Sequence, residues 1–291
     1  MNEIVVISGK GGTGKTSITS SFAALESQNM VIADCDVDAA DMHLITKPEI
    51  LDQEDFYSGK VAKIDSDNCV QCNQCINVCH FDAISIINNR YVVDPIACEG
   101  CNYCYKICPV QTISMKNRLA GEFYISKTRF NNILVHAKLG IAADNSGKLV
   151  TKVREEAKDI ADEERVDYLL IDASPGIGCP VVAALTGADF VVIVTEPSYS
   201  GLHDLSRVLE LTKKLKLKTA CILNKADINI EIAGKVKEFL NRESIPILAE
   251  LPYDKKFTEA ISMGKTIVEF DNGIIREKIE NAWKEIKNKV T

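Results

Sequence analysis

The stretch "SGKGGTGKT", residues 8–16, follows the apolar run "EIVVI" and leads into the helix-like segment "KTSITSSFAALES" (15–27). Strand, glycine loop and helix in immediate succession form the opening of an α/β unit, and they fix what the rest of the chain must build around. Gly9, Gly11, Gly12 and Gly14 let the backbone turn tightly, so that its N–H groups face a polyphosphate. The following helix presents its positive N-terminal end to the same anion. The spacing is that of a Walker A loop: Gly9, four residues, then Gly14, Lys15 and Thr16. Lys15 reaches the outer phosphates, the Thr16 hydroxyl is a candidate Mg²⁺ ligand, and Thr13 and Ser17 complete the cradle. A glycine-rich turn without a ligand is the alternative. One residue is surplus to the motif: Lys10 stands where no lysine is required.

Further apolar runs occur at 29–36, 167–174, 189–196, 218–225 and 245–252, each rich in Val, Ile or Leu and each followed by a helical stretch. Continuous apolar strands separated by helices predict a doubly wound, mainly parallel sheet covered on both faces. Residues 121–139 alternate apolar and polar side chains and suggest a strand pair returning to that sheet. A helix is expected to start at Asn145 or Ser146. The 291 residues carry 34 basic and 41 acidic side chains, a net charge of −7. That balance argues against a broad nucleic-acid footprint. No apolar run has the length of a membrane span, and no signal-peptide pattern opens the chain, so a cytoplasmic location is expected.

Between residues 60 and 118 the strand–helix rhythm fails. Eight of the eleven cysteines fall within 69–108, in two runs that realign at an offset of 29 residues, Cys69 onto Cys98. Cys69, Cys72, Cys75 and Cys79 follow C-x2-C-x2-C-x3-C, as do Cys98, Cys101, Cys104 and Cys108. In a cytoplasmic chain such spacing points to metal rather than disulfides. Structural zinc is the competing reading, but zinc sites favour separated cysteine pairs and this grouping is two triplets, each with a distant fourth. The expected organisation is a discontinuous domain of residues 1–58 and 119–291, with residues 60–118 inserted as a small α+β domain.

A phosphate-binding loop needs an acid for its magnesium shell. Asp172 ends the run "YLLID" in the Walker B position. Asp34, Asp36, Asp38 and Asp41 cluster after the second strand, and Asp36 is favoured over Asp38 to orient an attacking water. Asn224, in "LNKAD", carries both a donor and an acceptor for an adenine edge, although Asn-Lys after a strand is also ordinary turn chemistry.

"KGGTGKT" with its extra lysine, "DCD" after the second strand and "DASPG" resemble the MinD/ParA family of deviant-Walker ATPases. That group includes the nitrogenase iron protein and the Mrp-type iron–sulfur carriers. The resemblance covers residues 1–58 and about 119–291. It implies ATP and Mg²⁺ as ligands and an ATP-dependent homodimer in which Lys10 touches the phosphates held by the other subunit. The insert resembles bacterial two-cluster ferredoxins. By that resemblance one 4Fe-4S cluster belongs to Cys69, Cys72, Cys75 and Cys108, and a second to Cys98, Cys101, Cys104 and Cys79. His80 departs from the ferredoxin pattern, which has Pro there.

Taken together, these features predict an ATPase coupling a dimeric nucleotide cycle to electron transfer through two clusters, serving a metalloenzyme or its maturation. A cluster-assembly carrier and a cell-division-type positioning ATPase with a redox sensor are the alternatives. Nucleic acid and membrane are not expected partners. Three lesser features read as structural: Cys35 and Cys221 as buried hydrophobes, Cys179 as a buried or inert thiol, and the C-terminal segment with Ile275, Ile279, Trp283, Ile286 and Val290 as a surface helix packed on the core. His203 is read as a surface or interface residue.

Overall fold

The computed structural model describes residues 1–38, 40–140 and 146–290. Strand β1 (Asn2–Ile7) enters the glycine loop and is followed by α1 (Lys15–Leu25), β2 (Met30–Cys35), α2 (Met42–Thr46) and the long β3 (Glu49–Ile64). The cysteine-rich stretch holds α3 (Gln74–Asn77), β4 (Ile84–Ile87), β5 (Arg90–Val93) and α4 (Tyr103–Ile107). Then come β6 (Ile113–Lys127), β7 (Ile133–Leu139) and α5 (Ser146–Glu163). The remaining strands are β8 (Tyr168–Ala173), β9 (Phe190–Thr195), β10 (Lys218–Leu223) and β11 (Ile247–Glu250). They alternate with α6 (Cys179–Leu185), α7 (Tyr199–Lys214) and α8 (Ile230–Arg242), and the chain ends with α9 (Lys256–Ser262), α10 (Ile267–Phe270) and α11 (Ile274–Val290).

The chain divides into two compact units. The larger comprises Met1–Glu54, Phe123–Lys138 and Ser146–Thr291, and the smaller comprises Asp55–Glu122 with Leu139–Asn145. The chain passes between them four times, and the first two passages fall inside strands β3 and β6 rather than in loops. The sheet order is β11-β10-β9-β1-β8-β2-β7-β6-β3, and the pairings from β11 through to β7 are parallel. This is the expected α/β architecture. Strands β1, β2, β8 and β9 are buried almost throughout, which is why they read as unbroken apolar runs. On one face Ile4, Ile32, Leu170 and Val192 pack with Ile18 and Phe22 of α1 and with Ile279, Trp283 and Ile286 of α11. The Trp283 ring stacks on Phe22 at 5.1 Å, and its indole N–H donates to Glu26 at 2.8 Å. The C-terminal helix is thus a core element, as its spacing implied. Ser146 is the first residue of α5, and the other candidate start, Asn145, lies outside the described residues.

Two strands differ from the sequence reading. β3 is exposed along most of its length and carries exposed acids at Glu49, Asp52, Glu54 and Asp55, the pattern of a charged edge strand rather than a buried one. β6 begins at Ile113, well before the alternation at 121 made it visible. Among the described residues no helix is long and apolar enough to cross a membrane.

The smaller unit shows its repeat in the backbone. Positive φ angles occur at Gln71 and Gly100, at Asn73 and Asn102, and at Asp82 and Gln111, each pair 29 residues apart. Asn73 and Asn102 cap α3 and α4 from the left-handed region, a conformation that Asn tolerates better than most residues. Its core is small and partly made of thiols: Cys75, Cys98 and Cys104 are buried with Ala62, Ile84, Tyr91 and Ile113.

His136 of β7 lies opposite Asp34 in register, stacks on Tyr124 and shares a 2.9 Å hydrogen bond with Ser126. Burial, with the charge of His43 as a smaller cause, pushes its imidazole down to about 4. Between that value and 6.5 the unfolded chain takes up a proton that the folded chain refuses. The stability contribution is therefore complete above pH 6.5 and is lost as pH falls toward 4, on the order of 3 kcal/mol. Denaturant titrations across that window should show the loss in the wild type and a flatter profile in His136→Gln.

Candidate functional site

In the larger unit, the loop between β1 and α1 wraps one side of a cleft of about 510 Å³, a size typical of small-molecule sites. Residues 11–17 line it, together with Asp36, Asp38 and Asp41 after β2 and Ser174 and Pro175 after β8. These are the carboxyl ends of three adjacent sheet strands, the usual ligand position in an open α/β sheet. Gly12 and Gly14 take positive φ, and a Cβ on Gly14 would overlap the Asn224 amide. Only glycine satisfies both demands there.

Asp172 is the electrostatic anchor. It has no solvent exposure, and its Oδ2 accepts from Lys15 Nζ and Thr16 Oγ1, both at 2.8 Å. Its Oδ1 accepts from Thr19 Oγ1 at 2.7 Å. Lys15 Nζ also lies 3.5 Å from Asp36 Oδ2. Burial alone would lower the Lys15 ammonium, but Asp172, Asp36 and Asp34 outweigh it and hold the group above its ordinary value. Asp34, paired in register with Asp172, is pushed up to about 7 by burial and by that neighbouring carboxylate. Burial likewise raises Asp36, while Lys15 draws it back. The site therefore holds its Lys15 charge against a surplus of acid, an arrangement suited to receiving a cation along with a polyphosphate.

The surplus lysine has its own partners. Lys10 Nζ lies 2.6 Å from Glu196 Oε1 and 3.0 Å from each of Ser198 Oγ and Ser200 Oγ. The other Glu196 oxygen accepts from Lys225 at 2.7 Å, and Lys225 also donates to Gly12 O at 2.8 Å. Asn224 is buried. Its Nδ2 donates to Thr13 O at 2.8 Å, bracing the glycine loop, and its Oδ1 accepts from Lys225 N at 2.9 Å within its own turn. Each end of the amide uses one of its two hydrogen-bonding positions in these contacts.

Sequence reasoning passed over Thr19, Glu196 and Lys225. Thr19 had a signal, since four residues after Lys15 it faces the same side of α1. Glu196 and Lys225 had none, because their meeting depends on how β9 and β10 end side by side. Cys179 is not buried but exposed at the start of α6, whereas Cys35 and Cys221 are buried with their thiols pushed up by burial. His203 is exposed and pairs with Asp204.

In the smaller unit the eight clustered cysteines sort into two cavities. One is lined by Cys69, Cys72, Cys75 and Cys108. The other is lined by Cys98, Cys101, Cys104 and Cys79. Each cavity takes three thiols from one run and the fourth from the other, with apolar residues between them. No three or more His, Cys, Asp or Glu side chains among the described residues converge on a single-ion site. Burial raises Cys75 and Cys104. Burial would raise Cys108 too, but the Thr112 hydroxyl and the backbone amides of Thr112, Val110 and Ile113 hold it below the ordinary thiol value.

A family model described as the CobQ/CobB/MinD/ParA nucleotide binding domain matches residues 4–267. The chain belongs to this family. It is an ATP-binding ATPase of the MinD/ParA type. An uncharacterized protein of Methanocaldococcus jannaschii is 31% identical to the ATPase over 287 residues, 98% of this chain and 96% of the relative. An iron-sulfur cluster carrier protein of Pyrococcus horikoshii is 26% identical over 162 residues, 48% of this chain and 54% of the carrier. Among solved structures, the septum site-determining protein MinD of Pyrococcus horikoshii, complexed with Mg-ADP, aligns with a TM-score of 0.58 at 21% identity. That match covers 98% of this chain and 95% of the other, and it shows a shared fold.

Proposed function

We propose that the ATPase works as a homodimer whose nucleotide cycle governs electron transfer through two 4Fe-4S clusters in a ferredoxin-like unit of residues 60–118. The supporting observation is the sorting of eight cysteines into two four-cysteine cavities, each drawing its fourth thiol from the other run. Four thiols spread around an apolar cavity suit a cubane, whose irons share four thiolates, better than one tetrahedral zinc ion. Clusters of this kind supply one-electron uptake and release. A metalloenzyme or its maturation protein is the proposed recipient, and the site of action is cytoplasmic.

The residues divide the nucleotide chemistry among them. The backbone of Gly9, Gly11, Gly12, Thr13 and Gly14 holds the phosphates, with Ser17 at the start of the helix, and Lys15 neutralises their outer charge. Thr16 and Asp172 hold Mg²⁺, which keeps several waters and needs few protein ligands. Asp36, raised by burial, orients the attacking water. Lys10 leaves Glu196, Ser198 and Ser200 to reach the phosphates of the partner subunit, supplying a cation in trans as an arginine finger does. Asn224 keeps the loop in shape for all of them. Hydrolysis then depends on dimerisation.

A second reading is an iron–sulfur assembly carrier, favoured by the likeness to the Pyrococcus horikoshii carrier over about half of each chain. It differs in expecting a labile cluster that moves to an apo-acceptor while the eight-cysteine unit keeps its own.

Two measurements test the proposal. Lys10→Ala should leave ATP affinity near the wild-type value and slow hydrolysis on the order of 10²–10³-fold, whereas Lys15→Ala should abolish binding. Equal loss of both functions in Lys10→Ala would defeat the trans role. Anaerobically purified protein should contain about eight irons and eight acid-labile sulfides per chain. Zinc without sulfide would overturn the electron-transfer reading.

A further inference from the structure

The two cysteine cavities are related by the internal repeat, so residues 29 apart in the sequence occupy corresponding places. The correspondence runs through the linings: Cys108 answers to Cys79, Ile113 to Ile84 and Asn73 to Asn102. Against that symmetry a few chemical differences stand out. Thr112 lines the cavity of Cys69, Cys72, Cys75 and Cys108, and its Oγ1 lies 3.5 Å from Cys108 Sγ. Its counterpart in the other cavity is Ala83, which has no hydroxyl to offer. Tyr91 answers to Ala62 in the same way, but its hydroxyl donates to Asn73 Oδ1 and Gln71 O rather than to sulfur. The third difference is a charge. Glu99 lines the second cavity where Val70 lines the first.

The Thr112 and Glu99 differences act on reduction in one direction. An electron added to a cluster places more negative charge on its sulfur ligands. An O–H donated to a ligand sulfur stabilises that charge, and a carboxylate at the rim opposes it. Resting on the reading that both cavities hold 4Fe-4S clusters, we infer that the cavity of Cys69, Cys72, Cys75 and Cys108 holds the more easily reduced one. The Thr112 hydroxyl on Cys108 is the positioning group that sets it apart. An electron shared by the pair therefore resides in this cavity. The exchange moves one electron from one cavity to the other, makes and breaks no bond, and moves no proton. Glu99 is exposed, so its share is screened by solvent and salt and is the smaller of the two.

The test is a redox titration of the full chain, followed by the electron paramagnetic resonance of its reduced clusters. Iron and sulfide are assayed in every sample. The wild type should titrate in two waves. Thr112→Val should move the upper wave to lower potential and leave the lower one in place, Thr112→Ser should restore it, and Glu99→Gln should raise the lower wave. A Thr112→Val protein with full iron and sulfide whose upper wave does not move, or whose lower wave moves instead, overturns the inference while leaving the two-cluster reading intact. A chain with no acid-labile sulfide removes that reading itself.

Discussion

One buried carboxylate ties the nucleotide site together. Asp172 sits at the end of β8 with no exposure, and it is satisfied by Lys15, Thr16 and Thr19, all from the glycine loop and the first turns of α1. A charge this deep is tolerable only when fully paired, and deleting one partner of such a pair commonly costs about 3–5 kcal/mol. The same contact thus fixes the loop on the sheet and sets the charge that Lys15 and Thr16 present to a ligand. Asp34 and Asp36 add to it from the neighbouring strand, and Lys15 keeps its proton because all three acids surround it. Structure and chemistry share one set of atoms here.

The parts legible in the sequence are those governed by local physics. Strands buried on both faces announce themselves as apolar runs, which is how β1, β2, β8, β9 and β10 could be read almost to the residue. The loop was legible because glycines at Gly12 and Gly14 are demanded by backbone angle and by the closeness of Asn224. The less legible parts depend on long-range geometry. β3 is an exposed acidic edge with no periodic face to betray it. The chemistry of "LNKAD" marks Asn224 as a polar group near the nucleotide, but its bond to Thr13 on the glycine loop is visible only in the fold. The same holds for Lys10. Its surplus was visible, but its hold on Glu196, Ser198 and Ser200 joins positions nearly two hundred residues apart.

The smaller unit follows a different rule. It has little apolar mass, and much of what it buries is cysteine. Its repeat survives in backbone angles as well as in spacing, with left-handed residues at three pairs of corresponding positions. Such symmetry makes departures informative. Two cavities built from one pattern differ where Thr112 faces Cys108 and where Glu99 replaces an apolar residue, so one pattern yields two environments. Units too small to bury a large core commonly rely on metal or disulfide for stability, and here the buried thiols occupy the place a core would take.

The proposed function couples the nucleotide cycle to the cysteine unit. Asp36, at the rim of the nucleotide cleft, is joined through α2 to β3, the strand that carries the chain into the cysteine unit. The most direct measurement is the midpoint potential of the reduced centres in the full chain, titrated once with ADP and once with a non-hydrolysable ATP analogue. A potential that differs between the two nucleotides, and does so no longer in Lys15→Ala, is the predicted result. Identical potentials in both nucleotides, in protein shown to bind each of them, would rule that coupling out.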